Sequence, residues 1–250
     1  AKRIEEGIRE VMGAIAHFPG TVDSILAEYT RVTTDGGRLV EVFNGYIDPD
    51  DGIAPAEAAA PVPTTDGDAD KDSDDDCDDS DSDEEEEEGD GGPDPEEALR
   101  RFTAIGEALE AAKKVLKKHG RNSKQGIAAL KEMAELFMPI KLIPKQYEAL
   151  VVRVRSSLER LRAQERAIMQ LCVRDARMPR ADFLKLFPGN EVDQEWAAGL
   201  AKGKAKYAEA IGNLQGDIQR CQQKLSALEA ECELTLAEIK DINRRMSIGE

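Results

Sequence analysis

Side chains that stack, coordinate or react are scarce in this chain: of 250 residues only 4% are aromatic, and there are four cysteines, two histidines and one tryptophan. Cys77, Cys172, Cys221 and Cys232 are widely spaced, form no CxxC pair and have no histidine at ligand spacing, so neither a zinc module nor a disulfide framework is written here. That usage reads as a reduced, cytoplasmic protein. No apolar run approaches the roughly 18 residues that a membrane span needs, and residues 1–10 have the pattern of an amphipathic helix, not of a signal peptide. GxSxG, HExxH and the dinucleotide fingerprint are all missing, which removes the common hydrolase, metalloprotease and oxidoreductase readings.

What is abundant is negative charge, and it is concentrated. The formal charge is -17, yet residues 66–97 hold 20 of the 51 acids and one of the 34 bases, which leaves 31 acids against 33 bases elsewhere. An average too acidic for a nucleic-acid binder therefore hides a nearly neutral remainder, large enough to bury a helical core without staples. From about 48 to 92 a Pro/Ala stretch runs into the acidic tract, where like charges repel and little is apolar, so a disordered linker is expected. A calcium loop starting at Asp66 fails, because the Gly and Glu required at its sixth and twelfth positions are Lys71 and Cys77.

The remainder has helical periodicity. Ile4, Ile8, Val11, Ile15 and Phe18 form one stripe that Pro19-Gly20 ends; residues 21–32 read as a second helix, and 38–43 as a short third one after the Asp35-Gly36-Gly37 turn. Asp94-Pro95 followed by two glutamates has the chemistry of a helix start, with Leu99, Phe102, Ile105, Leu109, Ala112 and Leu116 as the expected buried stripe and Gly120 as the stop. A further helix over 123–138 should bury Ile127, Leu130, Ala134 and Phe137. After Pro144, Tyr147, Val151, Val154, Leu158, Leu161, Ile168 and Cys172 keep a heptad rhythm broken by Glu165, in a helix expected to run to about Met178. A short helix over 181–187 and a Pro188-Gly189 turn lead to a second heptad helix carrying Tyr207, Ile211, Leu214, Ile218, Cys221, Leu225, Leu228 and Cys232. The two should pair as an antiparallel hairpin. Thr235 and Glu238 have the spacing of a capping box that opens a last helix. The fold class is thus all-α, a helical domain with a long heptad-like hairpin, interrupted by an acidic loop.

No catalytic constellation emerges, and no cofactor or metal is implied. His17 and His119 fall at helix ends, where a dipole-facing histidine is the ordinary case. Residues 199–204 lack the full phosphate-loop spacing, and Cys172, Cys221 and Cys232 occupy apolar heptad positions. Arg153, Arg155, Arg160, Arg162 and Arg166 cluster on one long helix, either as a solvated face paired with Glu159 and Glu165 or as a nucleic-acid contact.

Several ordered segments resemble the primary sigma factors of bacterial RNA polymerase, the sigma-70 family. Residues 1–8 (AKRIEEGI) are similar to late region 1.2, and Asn44-Gly-Tyr-Ile-Asp-Pro49 follows before the acidic tract. Lys141-Leu-Ile-Pro-Lys-Gln-Tyr147, the run from Gln164 to Cys172, and Phe187-Pro-Gly-Asn-Glu191 are similar to the family's large non-conserved insertion, and residues 241–250 to the opening of region 2.1. With no initiating Met and a helix-like run at its end, the chain is expected to be a piece of a longer factor. The resemblance implies a division into 1–47 (end of region 1.2), 48–93 (linker), 94–239 (non-conserved region) and 240–250 (start of region 2.1). It also implies a non-enzymatic transcription initiation subunit whose partners are core polymerase, through its β and β′ subunits, and promoter DNA through the full-length protein, with no membrane and no small-molecule substrate. By position in the family pattern Arg38 is a candidate for touching promoter duplex, and Arg244 and Arg245 are further DNA-contact candidates. The competing class is a free-standing acidic helical protein that mimics DNA.

Overall fold

Helix boundaries follow local chemistry. The computed structural model describes residues 2–47 and 92–249, so the expected disordered linker over 48–93 and the rejected calcium loop fall almost wholly outside the described residues. Helix α1 (Lys2–Ala16) ends before Pro19, and Gly20, at φ 79°, turns the chain into α2 (Thr21–Thr34). Helix α3 (Pro95–His119) starts where Asp94 accepts the Glu96 amide at 3.0 Å, and α4 (Lys124–Phe137) where Ser123 accepts that of Gly126 at 2.9 Å. These are N-caps of the ordinary kind, each satisfying an amide with no partner in its own helix. Helix α5 (Pro144–Met169) begins on a proline, and α6 (Arg180–Leu186), α7 (Trp196–Ala201), α8 (Ala208–Cys232) and α9 (Leu236–Gly249) follow. Thr235 and Glu238 close the capping box: the Thr235 amide donates to Glu238 Oε2 at 2.8 Å and the Glu238 amide to Thr235 Oγ1 at 3.3 Å.

Helices α5 and α8 pair as the heptads require, and the guanidinium of Arg160 bridges them by donating two hydrogen bonds to Glu231 at 2.8 and 2.7 Å. The burial is uneven. Val154, Leu161 and Ile168 on α5, and Ile211, Ile218 and Leu225 on α8, are completely covered, whereas Tyr147, Leu158, Leu214 and Cys221 are half-buried. In the middle of the hairpin a third helix contributes: α9 also packs on α5, and there Val154 and Leu161 face the shared core and Leu158 its edge. Toward the ends, Val151, Cys172 and Leu228 of the other register are buried as well. Glu165, which breaks the heptad, accepts a hydrogen bond from Lys240 of α9 at 2.6 Å. The break in the pattern marks where α5 meets α9.

Four expectations are corrected. The third helix over 38–43 is a single 3-10 turn (Leu39–Glu41) followed by strand β1 (Phe43–Tyr46), antiparallel to β2 (Ile140–Leu142). The strands hold because Phe43, Ile140 and Leu142 are buried and flanking amides join the ladder, Ile47 donating to Pro139 at 2.6 Å and Ile143 to Val42 at 3.1 Å. The long helix does not reach Met178 as α-helix: after Met169 it widens into a π-helical turn (Gln170–Asp175) and ends at Arg177, in the left-handed region at φ 59°. That turn redirects the chain so that Ala176 and Met178 are buried beside Cys172. Ile4, Leu99 and Ile127 are exposed instead of lining the core. Ile4 lies a turn beyond Gly7, where α9 stops; the stripe of α3 passes through Ala98, one position away from Leu99; and Ile127, in the first turn of α4, faces an open cleft beside α9. Finally, the connector between the long helices holds α7 as well as α6, joined by Phe183, Phe187 and Trp196, with the Trp196 indole donating to the Leu186 carbonyl at 2.9 Å.

Helix α1 runs antiparallel to α9 and also touches α4, so residues before β1 share a continuous core with residues 94–249. The crossing is close enough that a Cβ built on Gly7 would lie 2.4 Å from the Gly249 carbonyl oxygen.

Candidate nucleic-acid interface

The sequence offered arginines, and the structure divides them into those that hold helices together and those that face outward. On α5, Arg153 donates to the Gly20 carbonyl at 3.1 Å, with its other terminal nitrogen 2.6 Å from where a Cβ of Gly20 would sit. Arg160 is committed to Glu231, whose carboxyl is held below its usual range by that guanidinium. Two of the five clustered arginines are therefore ties between elements, Arg160 with Glu231 as its carboxylate partner. Arg162 and Arg166 are exposed.

Arg244 on α9 is exposed and pairs with Asp241 at 2.8 Å, an i,i+3 contact on its own helix. Arg245, its neighbour, turns toward α1, where it lines two clefts of about 440 Å³, one shared with His17, Arg121 and Glu238 and the other with Arg9, His17 and Lys131. Arg38 is exposed and precedes the 3-10 turn, in extended backbone at φ -92° and ψ 136°. The three candidates thus sit on two different elements, Arg244 and Arg245 adjacent and Arg38 on the turn that feeds β1.

The cleft around His17 has charged walls. The imidazole Nδ1 lies 2.7 Å from the Gly13 carbonyl oxygen, and burial holds its pKa below the ordinary 6.5; that hydrogen bond opposes the shift, Arg245 and Arg121 add to it, and Asp241 opposes it. Arg121, in the turn after α3, donates to the His17 carbonyl and approaches Glu238 at 3.6 Å; desolvation lowers its own pKa. Motif reading passed over Arg121, because a single arginine in a turn has no spacing signature. Its role comes from chain ends that meet only in the folded state.

Acid–base and nucleophilic chemistry find no support here. His119 is exposed at the end of α3. The Cys172 thiol is pushed up to about 12 by burial, and Cys221 and Cys232 are raised for the same reason, which keeps them as thiols. Among the described residues no group of three or more His, Cys, Asp or Glu could hold a metal ion, and no helix is long and apolar enough to cross a membrane.

Comparison with known proteins adds what geometry alone lacks. Residues 18–229 match the family model described as Sigma-70, non-essential region. The chain is also similar to the RNA polymerase sigma factor RpoD of Neisseria gonorrhoeae, 28% identical over 257 residues that take in 100% of this chain and 40% of that protein. The chain therefore spans about 40% of the length of this curated relative.

Proposed function

Because this chain belongs to the sigma-70 family, in the part described as its non-essential region, we propose that it is the helical scaffold of a primary sigma factor, which binds core RNA polymerase through β and β′ and directs promoter recognition in the cytoplasm. The observation that carries the reading is the likeness to a sigma factor along the whole of this chain. The side-chain chemistry supports a non-catalytic role, since the buried polar groups Thr21, Ser157, Gln222 and Asn243 all donate to backbone carbonyls and so serve the fold. We assign residues 1–47 to the end of region 1.2, 48–93 to a linker, 94–239 to the non-conserved region and 240–250 to the start of region 2.1.

Within this reading Arg38, Arg244 and Arg245 are contacts to promoter duplex. One arginine on a phosphate positions the protein without reading sequence, and each such contact contributes a salt dependence of about -0.9 to the logarithmic slope. The test uses a full-length factor carrying this sequence, reconstituted with core polymerase. Arg38→Ala should weaken promoter complexes, more at low than at moderate salt, while the ranking of promoter variants stays the same. A factor that fails to bind core polymerase, or a ranking that changes with Arg38→Ala, overturns the assignment.

A further inference from the structure

The strongest uncompensated charge among the described residues lies away from the three arginines. Residues 111–131 contain seven lysines and arginines and no aspartate or glutamate. They cover the last turns of α3, the turn at 120–123 and the first two turns of α4, so they gather at the tip of the α3–α4 hairpin. Lys113 pairs with Asp23 at 2.5 Å and Glu110 at 3.0 Å, Arg121 is tied inward, and Lys131 pairs with Glu135 at 3.6 Å. Lys114, Lys117, Lys118 and Lys124 are exposed and have no ion pair among the described residues.

Helix electrostatics account for only part of this. Cations are favoured at the C-terminal end of α3, but Lys114 and Lys118 stand one turn apart and repel. Lys124 is the first residue of α4, at the positive end of that helix, and no acid lies in the same turn to offset it. The fold gives up local stability to keep these charges together, which is the pattern of a surface shaped by a partner. Lys114 and Lys118 lie on the face opposite the buried stripe of Ala98, Phe102, Ile105, Leu109 and Ala112, with Lys117 on its flank.

The partner follows from charge and composition. Protein interfaces are depleted in lysine and centred on aromatic or arginine anchors, and residues 111–131 contain no aromatic and only the inward-tied Arg121. The same lack of aromatics leaves nothing on which bases could stack. The chain's own acidic run joins the fold at the other end of α3: it precedes Pro95 on one side and follows Tyr46 on the other, whose ring lies 4.0 Å from the Arg101 guanidinium. Along the helix axis those junctions are roughly 25 to 35 Å from the tip, more than two Debye lengths at about 0.1 M salt.

We propose that the tip of the α3–α4 hairpin is a sequence-indifferent docking surface for the phosphate backbone of duplex DNA, with Lys114, Lys117, Lys118 and Lys124 making the contacts. The choice of DNA over other polyanions rests on the sigma-factor reading; the charge cluster does not.

The experiment titrates two labelled 30-base-pair duplexes of unrelated sequence with this 250-residue chain at about 50 and 200 mM salt. The variant replaces the four lysines by alanine, which raises helix propensity slightly and keeps the fold, checked by thermal melting. Expected are a loss of at least tenfold in affinity for both duplexes alike and a decrease in the salt slope of about 3 to 4. Alanine at Lys202, Lys204 and Lys206, exposed lysines elsewhere, should change affinity by less than twofold. A tip variant that binds as the parent does overturns the proposal. So does polyglutamate held at the tip more tightly than duplex, which assigns the surface to acidic protein, or a gain above tenfold on deleting residues 63–92, which assigns it to the chain's own acidic run. No polymerase is present, so failure of the sigma-factor reading, seen as lost core binding, is a separate result.

Discussion

The α5–α8 hairpin and the α1–α9 pair both bury one helix against another, with side chains of opposite size. In the hairpin, Val154, Leu161 and Ile168 meet Ile211, Ile218 and Leu225, branched aliphatics repeated every seven residues. In the α1–α9 pair, Gly7 and Gly249 let two backbones approach so closely that a methyl group on either would collide with the other's carbonyl oxygen. The first arrangement derives its stability from buried area and the second from the absence of anything between the backbones. A repeat of large apolar residues announces itself within one helix. A pair of glycines at opposite ends of a chain does not.

The sharpest way to break the hairpin is Leu161→Asp, which puts a charge at a fully covered position and should cost about 4 kcal/mol or more, enough to abolish cooperative unfolding in a denaturant titration. Leu158→Asp, at a half-buried position, should cost about 1–2 kcal/mol. Equal losses would show that both registers face the core and that α9 does not divide them.

A smaller effect tests the glycine crossing. Gly7→Ala should destabilise by about 1–3 kcal/mol, because the added carbon would lie 2.4 Å from backbone that cannot move without displacing α9. Gly106→Ala in α3, where nothing lies within 4 Å of the new atom, should stabilise by about 0.5–1 kcal/mol through helix propensity alone. The two melting midpoints should move in opposite directions; a stabilised Gly7→Ala protein would mean that the helices cross farther apart.

The smallest effect is one of pH. His17 sits between α1 and α9 with its pKa lowered by burial, with Arg245 and Arg121 adding to the shift and the Gly13 carbonyl and Asp241 opposing it. A base whose folded pKa is depressed binds fewer protons folded than unfolded, so stability rises with pH across that interval. The melting midpoint should therefore fall as pH drops below about 6.5, and His17→Gln should flatten that slope between pH 6.5 and 5, above the range in which most carboxylates titrate. An unchanged slope would remove His17 as the source.

Features set by neighbouring residues were legible before the fold was known. Asp94, Ser123 and the Thr235–Glu238 box cap helices because a short side chain can reach an amide two or three residues away. The sheet was missed because two strands of three and four residues carry almost no periodic signal: only the Ile140-Lys-Leu142 alternation between two prolines hinted at one. The α7 turn was missed because six residues show less than two helical turns. The candidate contacts Arg38, Arg244 and Arg245 came from family resemblance, not from spacing, while the lysines at the α3–α4 tip were not singled out, because the packing of α3 on α4 is what gathers them at one place.

By itself the sequence determined the all-helical class, the pairing of the two heptad helices and where most helices begin, because those depend on contacts within a few residues or on a repeat summed over many turns. Tertiary structure alone decided which heptad positions are fully covered, why Glu165 interrupts the pattern, and how α1 meets α9. Each of those depends on a third element arriving from far along the chain: Lys240 reaches Glu165, and Gly249 reaches Gly7. A linear pattern records the period of a helix, whereas the direction from which its neighbour approaches is settled only when the chain closes on itself.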